Sequence, residues 1–67
     1  MASKKQTAKT TDRVRNKDTN EVVSFHASHR SAMVECGRQW NTGVAATQDS
    51  LTADGRWWNA GQGYLSA

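Results

Sequence analysis

His26, His29 and Cys36 are the side chains of this 67-residue chain whose types best suit metal binding or nucleophilic attack. His26-x-x-His29 has a spacing that zinc tolerates, but structural zinc sites take four ligands, and Cys36 is a single thiolate with no second pair after it. Cys36 also falls on an apolar helical stripe, where burial suppresses the thiolate that nucleophilic chemistry requires. No carboxylate pair, Gly-x-Ser-x-Gly elbow or phosphate loop is visible, and Gly61-Gln62-Gly63 lacks a strand-to-helix setting. A chain this short has little room for a walled pocket. The reading is no metal, no cofactor and no catalysis.

Binding chemistry is better represented. Trp57 and Trp58 are adjacent, just after an Asp54-Gly55 turn signal, in a chain with little other large apolar material. Successive side chains of a strand point to opposite faces, so one indole is expected in the core and the other outside. An outward tryptophan on so small a protein suggests a contact surface, with Tyr64 and Leu65 folding across it as the purely structural alternative. Charge adds a second feature. Residues 1–17 carry Lys4, Lys5, Lys9, Arg13, Arg15 and Lys17 against Asp12, a balance of +5, whereas residues 18–67 carry three arginines against five carboxylates. Lysines and arginines of this kind neutralise phosphates without reading bases, and a sheet face that shows arginine, His26 and an indole suits stacking on single-stranded bases.

These residues must be positioned by elements that the pattern outlines. Residues 1–9 contain nothing large and apolar after Met1 and read as a flexible basic arm, with one small domain over 10–67. Thr10 to Asn16 alternates, Lys17-Asp18-Thr19-Asn20 is a turn, and Glu21 to Ala27 is a β-branched and aromatic run, together a hairpin. Val23, Phe25 and Ala27 are expected to face inward, with Val22, Ser24 and His26 on the opposite surface, and the register decides whether Arg13 and Arg15 share it. Ser28 is an N-cap candidate for a helix to Trp40, with Met33, Cys36, Gly37 and Trp40 as its buried stripe and Gly37 at a close approach to the sheet. Gly43 suits its C-terminal end. Val44 to Leu51 and Arg56 to Ala60 read as two further strands around Asp54-Gly55, Gly61-Gln62-Gly63-Tyr64 as loose, and Leu65-Ser66-Ala67 as an end that either frays or folds back. The expected architecture is α+β, in the order ββαββ, an antiparallel sheet with one helix on one face.

Composition leaves little core to work with. Hydrophobic residues make 36% of the chain, but nine of them are alanine, and there is no isoleucine. Three tryptophans supply much of the rest, each able to bury on the order of 200 Å². One cysteine cannot form an internal disulfide, no apolar run is long enough to span a membrane, and no signal-peptide core follows Met1. The expectation is a cytoplasmic, non-enzymatic binding protein that docks on nucleic acid or a nucleoprotein complex through Lys4, Lys5, Lys9, Arg13, Arg15, Lys17, His26 and Trp57 or Trp58. The rival reading is an effector or inhibitor of the phage or mobile-element type, which occludes a host enzyme through an aromatic-anchored surface. A homodimer is compatible with either.

Overall fold

The structure, a computed structural model, describes residues 9–66. Five strands and one helix follow in the order β1 (Asp12–Asn16), β2 (Val22–His26), α1 (His29–Asn41), β3 (Ala46–Leu51), β4 (Trp57–Asn59) and β5 (Tyr64–Ser66). All neighbours pair antiparallel, in the spatial order β2-β1-β3-β4-β5. The expected α+β sheet with one helix on one face is what the chain forms, with a fifth strand added at the C-terminal end.

Turn chemistry makes the hairpins. In the β1–β2 turn the Asn16 side chain accepts from the backbone of Asp18 and Thr19, and Asn20 takes a left-handed conformation (φ 65°) that asparagine tolerates better than most residues. Between β3 and β4, Gly55 supplies the positive φ (85°), and the Thr52 hydroxyl accepts from the Arg56 amide. The fifth strand depends on Asn59, whose side-chain oxygen accepts from the Gln62 amide at 2.8 Å and turns the chain back so that Tyr64 meets Asn59. Of the two outcomes expected for this end, folding back is the one found: Leu65 and Ser66 pair with β4, and Tyr64, expected in a loose stretch, joins them.

Ser28 caps α1 as expected, its hydroxyl accepting from the Ser31 amide at 3.1 Å. The buried stripe, however, is not the one the apolar residues suggest. Ala32 is buried and Glu35, Cys36 and Gln39 are half-buried, whereas Met33, Gly37 and Trp40 are exposed. A helix that presents alanine can lie close to a sheet surfaced by Val14 and Ala46, and its bulkier residues are then left at the shoulder. Nor is there a close approach at Gly37, where an added Cβ would meet no atom within 4 Å.

Register decides the faces of the first hairpin. Asp12 pairs with His26, Arg13 with Phe25 and Val14 with Ser24, but Arg15 pairs with Val22, which leaves Val23 without a partner at a bulge. Val23 packs on the core as expected, yet Ser24 and His26 share the helix side with Asp12 and Val14, and Phe25 lies opposite, with Arg13. Val22, Ser24 and His26 therefore do not share one outer surface, and the register puts Arg13 and Arg15 on the side of Val22, away from Ser24 and His26. The bulge is the reason: one extra residue lets Val23 and the Ser24/His26 pair reach the same side.

Candidate protein-interaction surface

On the helix-free face two arginines converge on one carboxylate. Arg13 and Arg15 alternate with Val14 along β1, so both point away from the helix, and the neighbouring strand places Asp49 opposite Arg13. Asp49 Oδ2 accepts from Arg13 Nε at 2.6 Å and from Arg15 Nε at 2.9 Å, while Oδ1 accepts from Arg15 Nη2 at 3.2 Å and Asn59 Nδ2 at 2.8 Å. Burial alone would push the Asp49 carboxyl up, but the hydrogen bonds from Arg15, Arg13 and Asn59 outweigh it and hold the group below its ordinary value. The hydrogen bond to Asp49 likewise raises Arg15. Trp57 closes this face: the Arg13 guanidinium sits 4.5 Å from its ring centroid, the Phe25 ring lies 6.0 Å away, and the residue is 5% exposed.

The helix side is polar toward one end and open toward the other. Asp12 is buried beneath α1, accepting from Thr11, Gln48 and Ser50 and lying 3.1 Å from His29 Nδ1. Burial opposes its ionisation, and the hydrogen bonds from Thr11, Gln48, His29 and Ser50 more than compensate, so its carboxyl also sits below the ordinary range. Further along the sheet α1 ends its cover: it packs on β1, β2 and β3 and makes no contact with β4 or β5 among the described residues. The uncovered strands carry Trp58, paired with Ser50 on one side and Leu65 on the other, so all three share the helix side. Trp58 is 42% exposed and Leu65 lies beside the indole rather than across it.

The adjacent shoulder of the helix is apolar too. His29, Met33, Cys36 and Trp40 fall at i, i+4, i+7 and i+11, one stripe. His29 and Cys36 of that stripe wall a hollow of about 300 Å³ together with Ser50 of β3 and with Ala60 and Gly61 just after β4, so that part of the stripe looks toward the uncovered strands. Met33 (55% exposed) and Trp40 (52%) are its solvent-facing members. Trp40 is nonetheless fixed in place: its indole N–H donates to the Ala46 carbonyl at 2.8 Å, and Lys17 Nζ lies 5.4 Å from its ring centroid. Where the helix ends its cover the surface thus forms a step, with Met33 and Trp40 exposed on the helix and Trp58 and Leu65 exposed on the uncovered strands, apolar groups suited to protein contact. Cys36 is half-buried there and burial pushes its thiol up, away from nucleophilic use.

The residues singled out from sequence are therefore dispersed. Trp57 and Trp58 are split by the pleat as expected, but the exposed indole lies on the helix side and the buried one on the helix-free face, the reverse of what base stacking on the open face requires. His26 bonds to Ser24 and Ser31 on the helix side and joins neither indole. Arg13 and Arg15 are engaged with Asp49; Lys17 stands over Trp40; Lys9 is exposed; Lys4 and Lys5, with most of the expected arm, lie outside the described residues. Among the described residues, no three His, Cys, Asp or Glu side chains come together to hold a metal, and no helix is long and apolar enough to cross a membrane. Sequence reasoning missed Asp49 and Asn59, although an aspartate inside a strand, with two alternating arginines elsewhere, is a signal for a buried ion pair. It also placed Met33 and Trp40 in the core. No protein-family model, curated protein or solved structure matches the chain.

Proposed function

We propose that this protein is a non-catalytic binding module that docks on a partner protein through the step formed by Met33 and Trp40 of α1 and Trp58 and Leu65 of β4 and β5. The observation that carries this reading is the half of the sheet left without a helix, with an exposed indole on it, and a second exposed indole anchored at the end of the helix. Tryptophans held rigidly at a surface lose little entropy on binding and are favoured as interface anchors. Occlusion of an enzyme by such a surface is the mode of action that a small accessory protein would use. Nucleic-acid binding is supported less, because Arg13 and Arg15 are held on Asp49 at one hollow rather than spread along a track for a phosphate backbone, and His26 and Trp57 are committed to contacts within the fold.

The test is capture from lysate by the full chain, with and without nuclease, using Trp58→Ala and Trp40→Ala beside a variant with Lys4, Lys5 and Lys9 neutralised. Nuclease-resistant capture of a defined partner that either tryptophan variant reduces about tenfold or more supports the reading. Capture that vanishes with nuclease, falls steeply with salt and follows the lysines instead would replace it with nucleic-acid binding.

A further inference from the structure

We propose that Arg13 and Arg15 form a receptor for a phosphate monoester on the helix-free face, a site separate from the docking step. Two guanidiniums there face a single carboxylate, Asp49. The other carboxylates of the described residues are occupied elsewhere or lie in the exposed β1–β2 turn: Asp12 is under the helix, Glu35 pairs with Arg38, and Asp54 pairs with Arg56. Among the described residues one positive charge thus stands uncompensated in a largely buried setting, which is costly unless an anion or water meets it.

The donors to meet an anion are present. A guanidinium has five N–H groups. Arg15 uses four: Nε and Nη2 on Asp49, Nη2 again on Gln62 at 2.9 Å, and Nη1 on Asn20 at 3.0 Å. Arg13 uses two, one on Asp49 and one in a long 3.4 Å contact with the Ser66 hydroxyl, which leaves three. Both arginines border an open hollow of about 180 Å³ that Asn20, Tyr64 and Ser66 complete, and a second of about 380 Å³ adjoins it along Arg15, Asn20, Gln62 and Tyr64. The walls are polar, the phenol of Tyr64 is half-exposed at the rim, and among the described residues no apolar side chain lines either hollow besides that ring.

Rigidity adds to the fit. The Arg13 guanidinium is stacked on Trp57 and tied to Asp49, so its remaining fork is already oriented, and little freedom is lost when an oxyanion arrives. A monoester fits better than a diester: it offers three terminal oxygens and nearly two charges to donors that converge from two planes. A hollow of this size, bordered by Asn20 of the β1–β2 turn and by Tyr64 and Ser66 of β5, takes one such group rather than a backbone track. The source is a phosphorylated side chain or a sugar phosphate, two carriers of the same chemistry.

The experiment follows the Nε–H resonances of Arg13 and Arg15 by NMR in the full chain, at constant ionic strength, during titration with inorganic phosphate, O-phosphoserine, ribose 5-phosphate and dimethyl phosphate. Saturable shifts at both Nε groups with the first three, and about tenfold weaker binding of the diester, are expected; the tighter of phosphoserine and ribose 5-phosphate names the source. Arg13→Gln should weaken phosphate about tenfold, and Arg13→Lys, which keeps the charge opposite Asp49 but loses the fork, should do likewise if the glutamine variant does not fold. Shifts that grow without saturation, that chloride reproduces, or that both variants leave unchanged would overturn the site. So would a response confined to the N-terminal lysines with both Nε groups unmoved.

Discussion

On the helix side of the sheet the buried apolar groups are Val14, Ala32 and Ala46, with Val23 and Cys36 packed against them, a set of small and medium side chains. On the helix-free side the buried groups are Arg15, Asp49, Asn59 and Trp57, three of them polar and each polar atom partnered. The first face is closed by a helix laid across it, the second by side chains that reach across four strands from Phe25 to Asn59. A chain with few large aliphatics has no second hydrophobic layer to spend, so an ion lattice and one indole do the work that a second helix does in larger sandwiches. What this contrast teaches is that the polar face depends on completeness: each member is tolerable inside the protein only because the others are there.

The contrast predicts unequal costs. Asp49→Ala leaves two guanidiniums without a counter-charge and should destabilise by about 3–5 kcal/mol, close to everything a core of this size supplies, so the variant should be largely unfolded. Val14→Ala, at the centre of the helix side, should cost about 2 kcal/mol from lost burial and the space left behind. Urea denaturation followed by tryptophan emission checks both, and a greater loss for Val14→Ala than for Asp49→Ala would break the comparison. Acid sharpens it. Asp49 and Asp12 have carboxyls held below their ordinary value in the folded chain, so their contribution is complete above the unfolded value near 4 and is lost as pH falls from there through the folded values. The urea midpoint should therefore be flat between about pH 7 and 5 and drop below about pH 4; a midpoint that rises on acidification would contradict the lattice. The smallest effect is on the outer surface of α1. Gly37→Ala meets no atom and should stabilise by roughly 0.5–1 kcal/mol, seen as a higher thermal midpoint, whereas a loss would mean that Gly37 is a packing position after all.

Much of the frame was legible before any coordinates. Ser28 as a cap, Asp54-Gly55 as a hairpin turn and Gly43 as the left-handed residue after the helix (φ 87°) each follow from the chemistry of one or two residues and their immediate neighbours. The separation of Trp57 from Trp58 follows as directly, because the pleat alternates whatever surrounds it. Less legible was the rotation of the helix. Met33, Cys36, Gly37 and Trp40 make an apolar stripe, but the close packing available over Val14 and Ala46 selects Ala32 instead, a choice between neighbouring faces that periodicity cannot make. The fifth strand was hidden for a related reason: Asn59 is both the last residue of β4 and the acceptor that turns the chain, and nothing in Gly61-Gln62-Gly63 alone announces a partner for Tyr64–Ser66.

What this chain determined by itself is its local grammar: where segments start, stop and turn, and that two adjacent indoles must part. Those features arise from backbone dihedrals and hydrogen bonds a few residues apart, which are present in any context. Tertiary structure alone decided which side each strand residue faces and which arginines meet a carboxylate within the fold. A one-residue bulge at Val23 and the meeting of Asp49 with Arg13 and Arg15, more than thirty residues away in sequence, set both. Such long-range pairings are selected by the combined fit of the whole sheet, and no single segment carries that information.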